Sequence, residues 1–151
     1  MLTSDSRLEC KIRQALSTEL SSCLDFESLD EYGRSTPLDA GLVAANILCG
    51  GIFIATVGDD RIGYASLNFL YTSRTPMLSW WYVKPEYRGH GVGSRLLQEV
   101  SNYLRSHGFR RFLISCCRPL EIARHEARGL KRVGYLDLGG SEQEVVFEQL
   151  V

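Results

Sequence analysis

Leu8, Ile12, Leu16 and Leu20 recur four residues apart and predict a first amphipathic helix reaching about Cys23. Ser4, Asp5 or Ser6 would cap it, and Ser6 with Glu9 fits a capping box. The pattern then breaks, and residues 25–33 read as an acidic loop carrying Asp25, Glu27, Asp30 and Glu31. Thr36 and Pro37 suit the N-cap and first position of a second helix. That helix would turn Leu38, Leu42, Ala45 and Cys49 inward and stop at Gly50-Gly51.

From Ile52 the period changes. Residues 52–57 and 61–70 read as strands joined across Gly58-Asp59-Asp60, and residues 72–76 form the next turn. Residues 77–83 are an apolar, aromatic run that predicts a buried strand. Val92, Leu96, Leu97, Val100 and Leu104 return to helical spacing, giving a helix from about 91 to 107 that ends at Gly108. A strand at 110–117 follows, then a helix opened by Pro119 and running to about Arg132. Strands at 134–138 and 144–150 close the chain around Gly139-Gly140. The expected architecture is α/β (α+β), one domain over residues 1–151 with a central mixed sheet and helices on both faces.

The stretch that organises this pattern runs from Val83 to Leu97: Val-Lys-Pro-Glu-Tyr-Arg-Gly-His-Gly-Val-Gly-Ser-Arg-Leu-Leu. Pro85 ends the strand by removing a ladder donor, and Gly89, Gly91 and Gly93 allow a tight turn into the helix. The first amides of that helix have no carbonyl within it, and the dipole's positive pole lies there, so the end attracts phosphate. A dinucleotide fingerprint does not fit, because the glycine spacing and mid-chain position differ. A Walker A loop does not fit either, because no Lys precedes Ser94.

The fifteen residues resemble the acetyl-CoA signature of the GNAT superfamily of N-acetyltransferases. Arg88, Gly91 and Gly93 match its Arg/Gln-x-x-Gly-x-Gly/Ala core, and a looser likeness extends from about residue 36 to the C-terminus. The resemblance implies a GNAT-like fold with a mostly antiparallel sheet. Such a fold usually begins with a strand, which here is missing, very short or replaced, since only Met1-Leu2-Thr3 precede the predicted first helix. It also implies acetyl-CoA (or CoA) as cofactor, its pyrophosphate on the backbone of Arg88, Gly89, His90, Gly91, Val92, Gly93 and Ser94. The edge formed by Trp81, Tyr82 and Val83 would pair with the pantetheine arm, and an amine would attack the thioester directly. Simple core packing is the competing role for the side chains of Trp80, Trp81 and Tyr82.

The usual proton donor of the family does not match: Leu130 stands where a Tyr is common, and Ala123 where an Asn is common. His125, Cys116 or a bound water would substitute. Residues 77–83 hold no carboxylate to serve as base, which leaves a water relayed through Ser79 or Tyr82. His90 reads as a solvent-facing residue or a phosphate contact.

Composition narrows the class. The chain has 151 residues and a net charge of −1. It holds no run of about 18 apolar residues and no signal-like opening, so a cytoplasmic, non-membrane protein is expected. Cysteines 10, 23, 49, 116 and 117 are an odd set without metal spacing and predict reduced thiols, and the three dispersed histidines suggest no metal site. Residues 1–60 hold ten acidic side chains against four basic, and residues 84–132 eleven basic against four acidic, the latter favouring a polyanionic cofactor. Asp25, Glu27, Asp30 and Glu31, with Glu142 and Glu144, would give the acceptor's mouth negative potential. The acceptor would then be a cationic amine on a small molecule or a peptide; a solvated loop would carry the same charges. Near-neutral charge and the lack of a recognition motif argue against nucleic-acid binding by itself, and leave an RNA-borne amine open as an acceptor. The leading function is N-acetyl transfer. The alternative is a CoA-binding sensor or regulatory module with impaired chemistry, for which Leu130 speaks, and an acyltransferase for longer chains is a third. By analogy with such folds, the closing strand pair would support a homodimer.

Overall fold

The structure is a computed structural model that describes residues 8–29, 37–71, 74–137, 139 and 143–151. Contacts group the chain into two compact units: residues up to Ser66 with Trp80–Val100, and Leu67–Ser79 with Ser101–Val151.

In the first unit, β1 (Lys11–Gln14) pairs antiparallel with β2 (Ile52–Val57), and β2 pairs antiparallel with β3 (Asp60–Leu70). Ile52 and Ile54 share one face of β2 by strand alternation. There they join Tyr64 of β3, Cys23 and Phe26 of α1 (Leu20–Glu27), and Val43 and Ile47 of α2 (Pro37–Leu48) in one buried cluster. Ala55 faces the other way, opposite Gly63. A Cβ at Gly63 would lie 3.0 Å from Leu96 Cδ1, 3.2 Å from the Ala55 Cβ and 3.3 Å from the Tyr82 carbonyl oxygen. Glycine is what allows α3 (Val92–Ser106) to approach β3 so closely. Helices thus cover both faces of β2, which explains its unbroken apolar run.

Two helix predictions in this unit need correction. The helix expected from Leu8 to Cys23 is instead β1, a turn of 3₁₀ helix at Ser17–Glu19, and α1. The expected apolar stripe is not a buried face, since Leu16 is 58% exposed. Pairing with β2 wins over a weak local periodicity. Buried Glu19 fixes the result: its carboxylate accepts from Arg13 at 2.7 and 2.8 Å, from Arg61 Nε at 2.9 Å and from the Leu16 amide at 2.9 Å. The leading strand is therefore present and very short. α1 in turn extends through Glu27, so the acidic segment begins as helix and closes through Ser28 N–H to Leu24 O. In α2 the inward residues are Val43 and Ile47, while Leu38, Leu42, Ala45 and Cys49 are exposed. That helix is apolar nearly all round, so spacing alone does not choose its buried face. The expected caps at Ser4–Ser6 and Thr36, and the carboxylates of Asp30, Glu31 and Glu142, lie outside the described residues.

In the second unit, β5 (Arg111–Cys116) runs parallel to β4 (Thr75–Val83) through two pairs, Met77 with Leu113 and Leu78 with Ile114. β5 also pairs antiparallel along its whole length with β7 (Glu144–Leu150), which pairs antiparallel with β6 (Lys131–Leu136). α4 (Pro119–Ala127) is shorter than expected. Arg128 N–H to Arg124 O, Gly129 N–H to Glu126 O and Leu130 N–H to His125 O close its end, and β6 starts at Lys131 opposite Glu148.

The strands follow the order β1-β2-β3-β4-β5-β7-β6, with β3 and β4 contributing to both units. The fold is mixed α/β, a mostly antiparallel seven-stranded sheet with four α-helices among the described residues. All five cysteines are free thiols. Among the described residues, no helix is long and apolar enough to cross a membrane, and no cluster of His, Cys, Asp or Glu has the makings of a metal site.

Candidate active site

The first unit brings the end of β4 and the start of α3 together. The Lys84 amide donates to Ile62 O at 2.9 Å, after which Pro85–Tyr87 coil into a 3₁₀ turn. Gly89 and Gly91 have φ of +81° and +78°, left-handed conformations that a side chain would strain. A Cβ at either would meet nothing within 4 Å, so the turn is open above its backbone. The ladder of α3 begins with Arg95 N–H to Gly91 O at 3.1 Å. The amides of Val92, Gly93 and Ser94 precede it, at the positive pole of a fifteen-residue helix.

Side chains lock this turn onto the strand. Trp81 Nε1 donates to Gly93 O at 3.0 Å, tying β4 to the first turn of α3. Arg88 Nε donates to Val83 O at 2.8 Å, and its guanidinium lies 5.4 Å from the centre of the Tyr82 ring. Asp60 accepts from Lys84 Nζ at 2.7 Å and from the Tyr87 hydroxyl at 3.0 Å, bonds that hold its carboxyl below the usual range. Farther along α3, Arg95 reaches Cys10, donating to its carbonyl at 2.6 Å and its Sγ at 2.8 Å.

Along β4, Trp81 points to α3, whereas Trp80 and Tyr82 pack against the cluster beneath α1 and α2. Phe26 stacks on Tyr64 with ring centres 5.3 Å apart, and Tyr82 meets Phe26 edge-on at 6.2 Å. Beside this aromatic wall, the fully buried Tyr64 hydroxyl donates to Glu27 Oε1 at 2.8 Å. Burial raises the Glu27 carboxyl; the Tyr64 bond opposes this, and the charge of Asp39 adds to it. Burial likewise pushes the Cys23 thiol up to about 12.

Of the residues singled out from sequence, Trp81, Tyr82 and Val83 end β4, Arg88, Gly89, His90 and Gly91 form the turn, and Val92, Gly93 and Ser94 open α3. His90 is exposed, and its Nδ1 donates to Arg88 O at 3.0 Å. His125 and Cys116 belong to the second unit. His125 is buried against Phe147 with ring centres 5.3 Å apart, and burial, with the charge of Arg128, favours its neutral form. The Cys116 thiol is pushed up to about 11 by burial. Ser79 Oγ accepts from Asn68 Nδ2 at 2.6 Å. Leu130 lies beyond the end of α4, in the link to β6. In the sequence alone Glu27 is one of several charges of an expected acidic loop. The i, i+3 pair Cys23–Phe26 was the signal that helix continues to its door.

The chain belongs to the acetyltransferase (GNAT) family, whose model matches residues 14–130. The family uses acetyl-CoA. Over 61 residues the chain is 36% identical to thialysine N-epsilon-acetyltransferase of Sus scrofa, covering 38% of this chain and 36% of that protein. Over 86 residues it is 33% identical to aminoglycoside N(6')-acetyltransferase type 1 of Stenotrophomonas maltophilia, covering 52% of this chain and 56% of that protein. The chain thus spans about half or less of the length of these curated relatives. The fold matches that of yncA from Salmonella typhimurium, solved with its cofactor acetyl-CoA, with a TM-score of 0.73 at 16% identity over 94% of each chain.

Proposed function

We propose that this chain, acting as one catalytic domain, is an N-acetyltransferase that moves an acetyl group from acetyl-CoA to a primary amine. The observation that carries the reading is the open turn at Gly89–Gly91, held against the end of β4 by Trp81 and Arg88 and facing the first amides of α3. Bound there, acetyl-CoA supplies an activated thioester. The amides from Arg88 to Ser94 hold its pyrophosphate, aided by the helix dipole. The edge at Trp81, Tyr82 and Val83 orients the pantetheine arm, and one edge N–H stabilises charge on the thioester oxygen. Holding two substrates side by side supplies much of the rate.

A thiolate whose conjugate acid has a pKa of about 8.5 leaves without a strong acid. A bound water, one of the three donors expected from the sequence beside His125 and Cys116, protonates it next to Tyr82 on β4. The acceptor is a cationic amine on a small molecule, a reading that the amine substrates in the names of both relatives support.

Calorimetric titration with acetyl-CoA, CoA and dephospho-CoA, with ATP as control, tests the cofactor. Micromolar binding of the first two, weakened severalfold in Arg88→Ala, is the expected result. No binding to any CoA species would leave the glycine turn a purely structural feature.

A further inference from the structure

The strand that would carry the thioester has no carboxylate, yet an amine at neutral pH arrives as an ammonium and must lose a proton before it can attack. Two other carboxylates of the first unit are committed. Glu19 is bound by two arginines, which hold it ionised, with its carboxyl down to about 2. Asp60 is bound by Lys84 and Tyr87. Glu27 differs. It is half-buried beside an aromatic wall made by Phe26, Tyr64 and Tyr82, and among the described residues no cation pairs with it. Tyr64 OH holds Oε1 at 2.8 Å.

We propose that Glu27 receives the acceptor's ammonium and takes its proton, with Tyr64 fixing the carboxylate that does so. The proposal rests on the acetyltransferase reading above. Three features fit an ammonium. The carboxylate supplies the opposite charge, Asp39 on α2 adds to the negative field, and the Phe26 and Tyr82 rings wall the side with apolar surface. Three features fit a base. Burial raises the carboxyl towards the pH at which it can accept a proton. Tyr64 on β3 and Cys23 on α1 stay neutral, their hydroxyl and thiol both pushed up by burial. Tyr82 on β4 shares the wall through Phe26 and is the same residue whose backbone lines the strand edge. The step is a balanced proton transfer: the N–H bond breaks, its electron pair stays on nitrogen as the nucleophile, and the proton ends on the Glu27 carboxylate. Solvent removes it before the next turnover. Tyr64 is a positioning residue.

The test compares Glu27→Gln and Tyr64→Phe with the wild type, using 1,4-diaminobutane as acceptor. Glu27→Gln keeps the acceptor atom for Tyr64 but not the base. Its kcat at neutral pH should fall on the order of 10²-fold, and recover about tenfold per pH unit as free amine replaces the lost base. Calorimetric affinity for acetyl-CoA should be unchanged. In Tyr64→Phe, loss of the hydroxyl donor should move the acid limb of kcat/KM to higher pH, which a purely structural loss would not do. On protein without acetyl-CoA, adding the diamine at mildly acid pH should ionise Glu27 and remove its protonated-carboxyl infrared band, with no such change in Glu27→Gln. An unaltered kcat and pH profile in Glu27→Gln, a loss that alkaline pH does not relieve, or a diamine without effect on the band overturns the assignment. Absence of acetyl-CoA binding in the wild type overturns the acetyltransferase reading instead, so the two failures are distinct.

Discussion

Glu19 and Glu27 bracket α1, and their surroundings drive their carboxyls in opposite directions. Both leave bulk water. Glu19 exchanges it for Arg13, Arg61 and a backbone amide, and the Arg13 bond in particular outweighs burial. Glu27 exchanges it for a phenol and an aromatic wall, so burial prevails. The sign for Glu19 follows from linkage. Its folded carboxyl, down to about 2, lies below the ordinary 4.5 of the unfolded chain, so its contribution is fully present above 4.5 and is lost as pH falls through 2. That contribution is on the order of 3 kcal/mol. Thermal unfolding should accordingly show Tm dropping between pH 4.5 and 2, with the drop reduced in Glu19→Gln. At neutral pH this variant should be destabilised by about 3 kcal/mol or more, since it leaves two arginines facing a neutral amide. An acid-insensitive Tm in the wild type would count against Glu19 as the pin of β1.

At the scale of elements, the turn between β4 and α3 was legible because its logic is local. Pro85, two left-handed glycines and a helical stripe follow one another between Pro85 and Leu104. β2 and β7 were legible for a similar reason, each being a short apolar run between turn signals. β1 was not, because Leu8, Ile12 and Leu16 satisfy a helical period while the pairing that decides the matter comes from Ile52–Val57, some forty residues away. The Tyr64–Glu27 bond spans 37 positions and leaves no periodic trace at all. One bond at this scale invites a direct test. Trp81 Nε1 to Gly93 O is the clamp that aims the α3 N-terminus along β4. Trp81→Phe keeps an aromatic ring and removes the donor. Stability should fall by about 1 kcal/mol, the net worth of such a bond. CoA affinity should fall further, because the amides of Val92 to Ser94 no longer hold one position. Calorimetry and melting measured on the same variant separate these effects; an unchanged CoA affinity would show that the clamp serves folding alone.

For the whole molecule, charge rather than shape would distinguish the two proposed substrates. The net charge of −1 conceals a sequence whose first sixty residues are acidic and whose stretch from 84 to 132 is basic. That asymmetry was readable from composition, whereas the carboxylate that would act as base was not, because its role depends on burial that composition does not register. A polyanionic donor and a cationic acceptor would each be drawn by charge of the opposite sign, and such attraction between exposed groups acts over a Debye length of about 10 Å at 0.1 M salt and 3 Å at 1 M. KM for a dicationic amine should therefore rise severalfold across that range, while KM for a monoamine with a neutral tail should move much less. Asp25 is exposed on α1, so Asp25→Asn should raise the diamine KM by less than about fivefold at 0.1 M salt, an effect of an exposed charge that should vanish at 1 M. The proton-accepting role of Glu27 should survive the same salt, since a half-buried carboxylate is screened far less. A KM indifferent to salt, together with a kcat that still requires Glu27, would confine recognition of the amine to the aromatic wall and its one carboxylate.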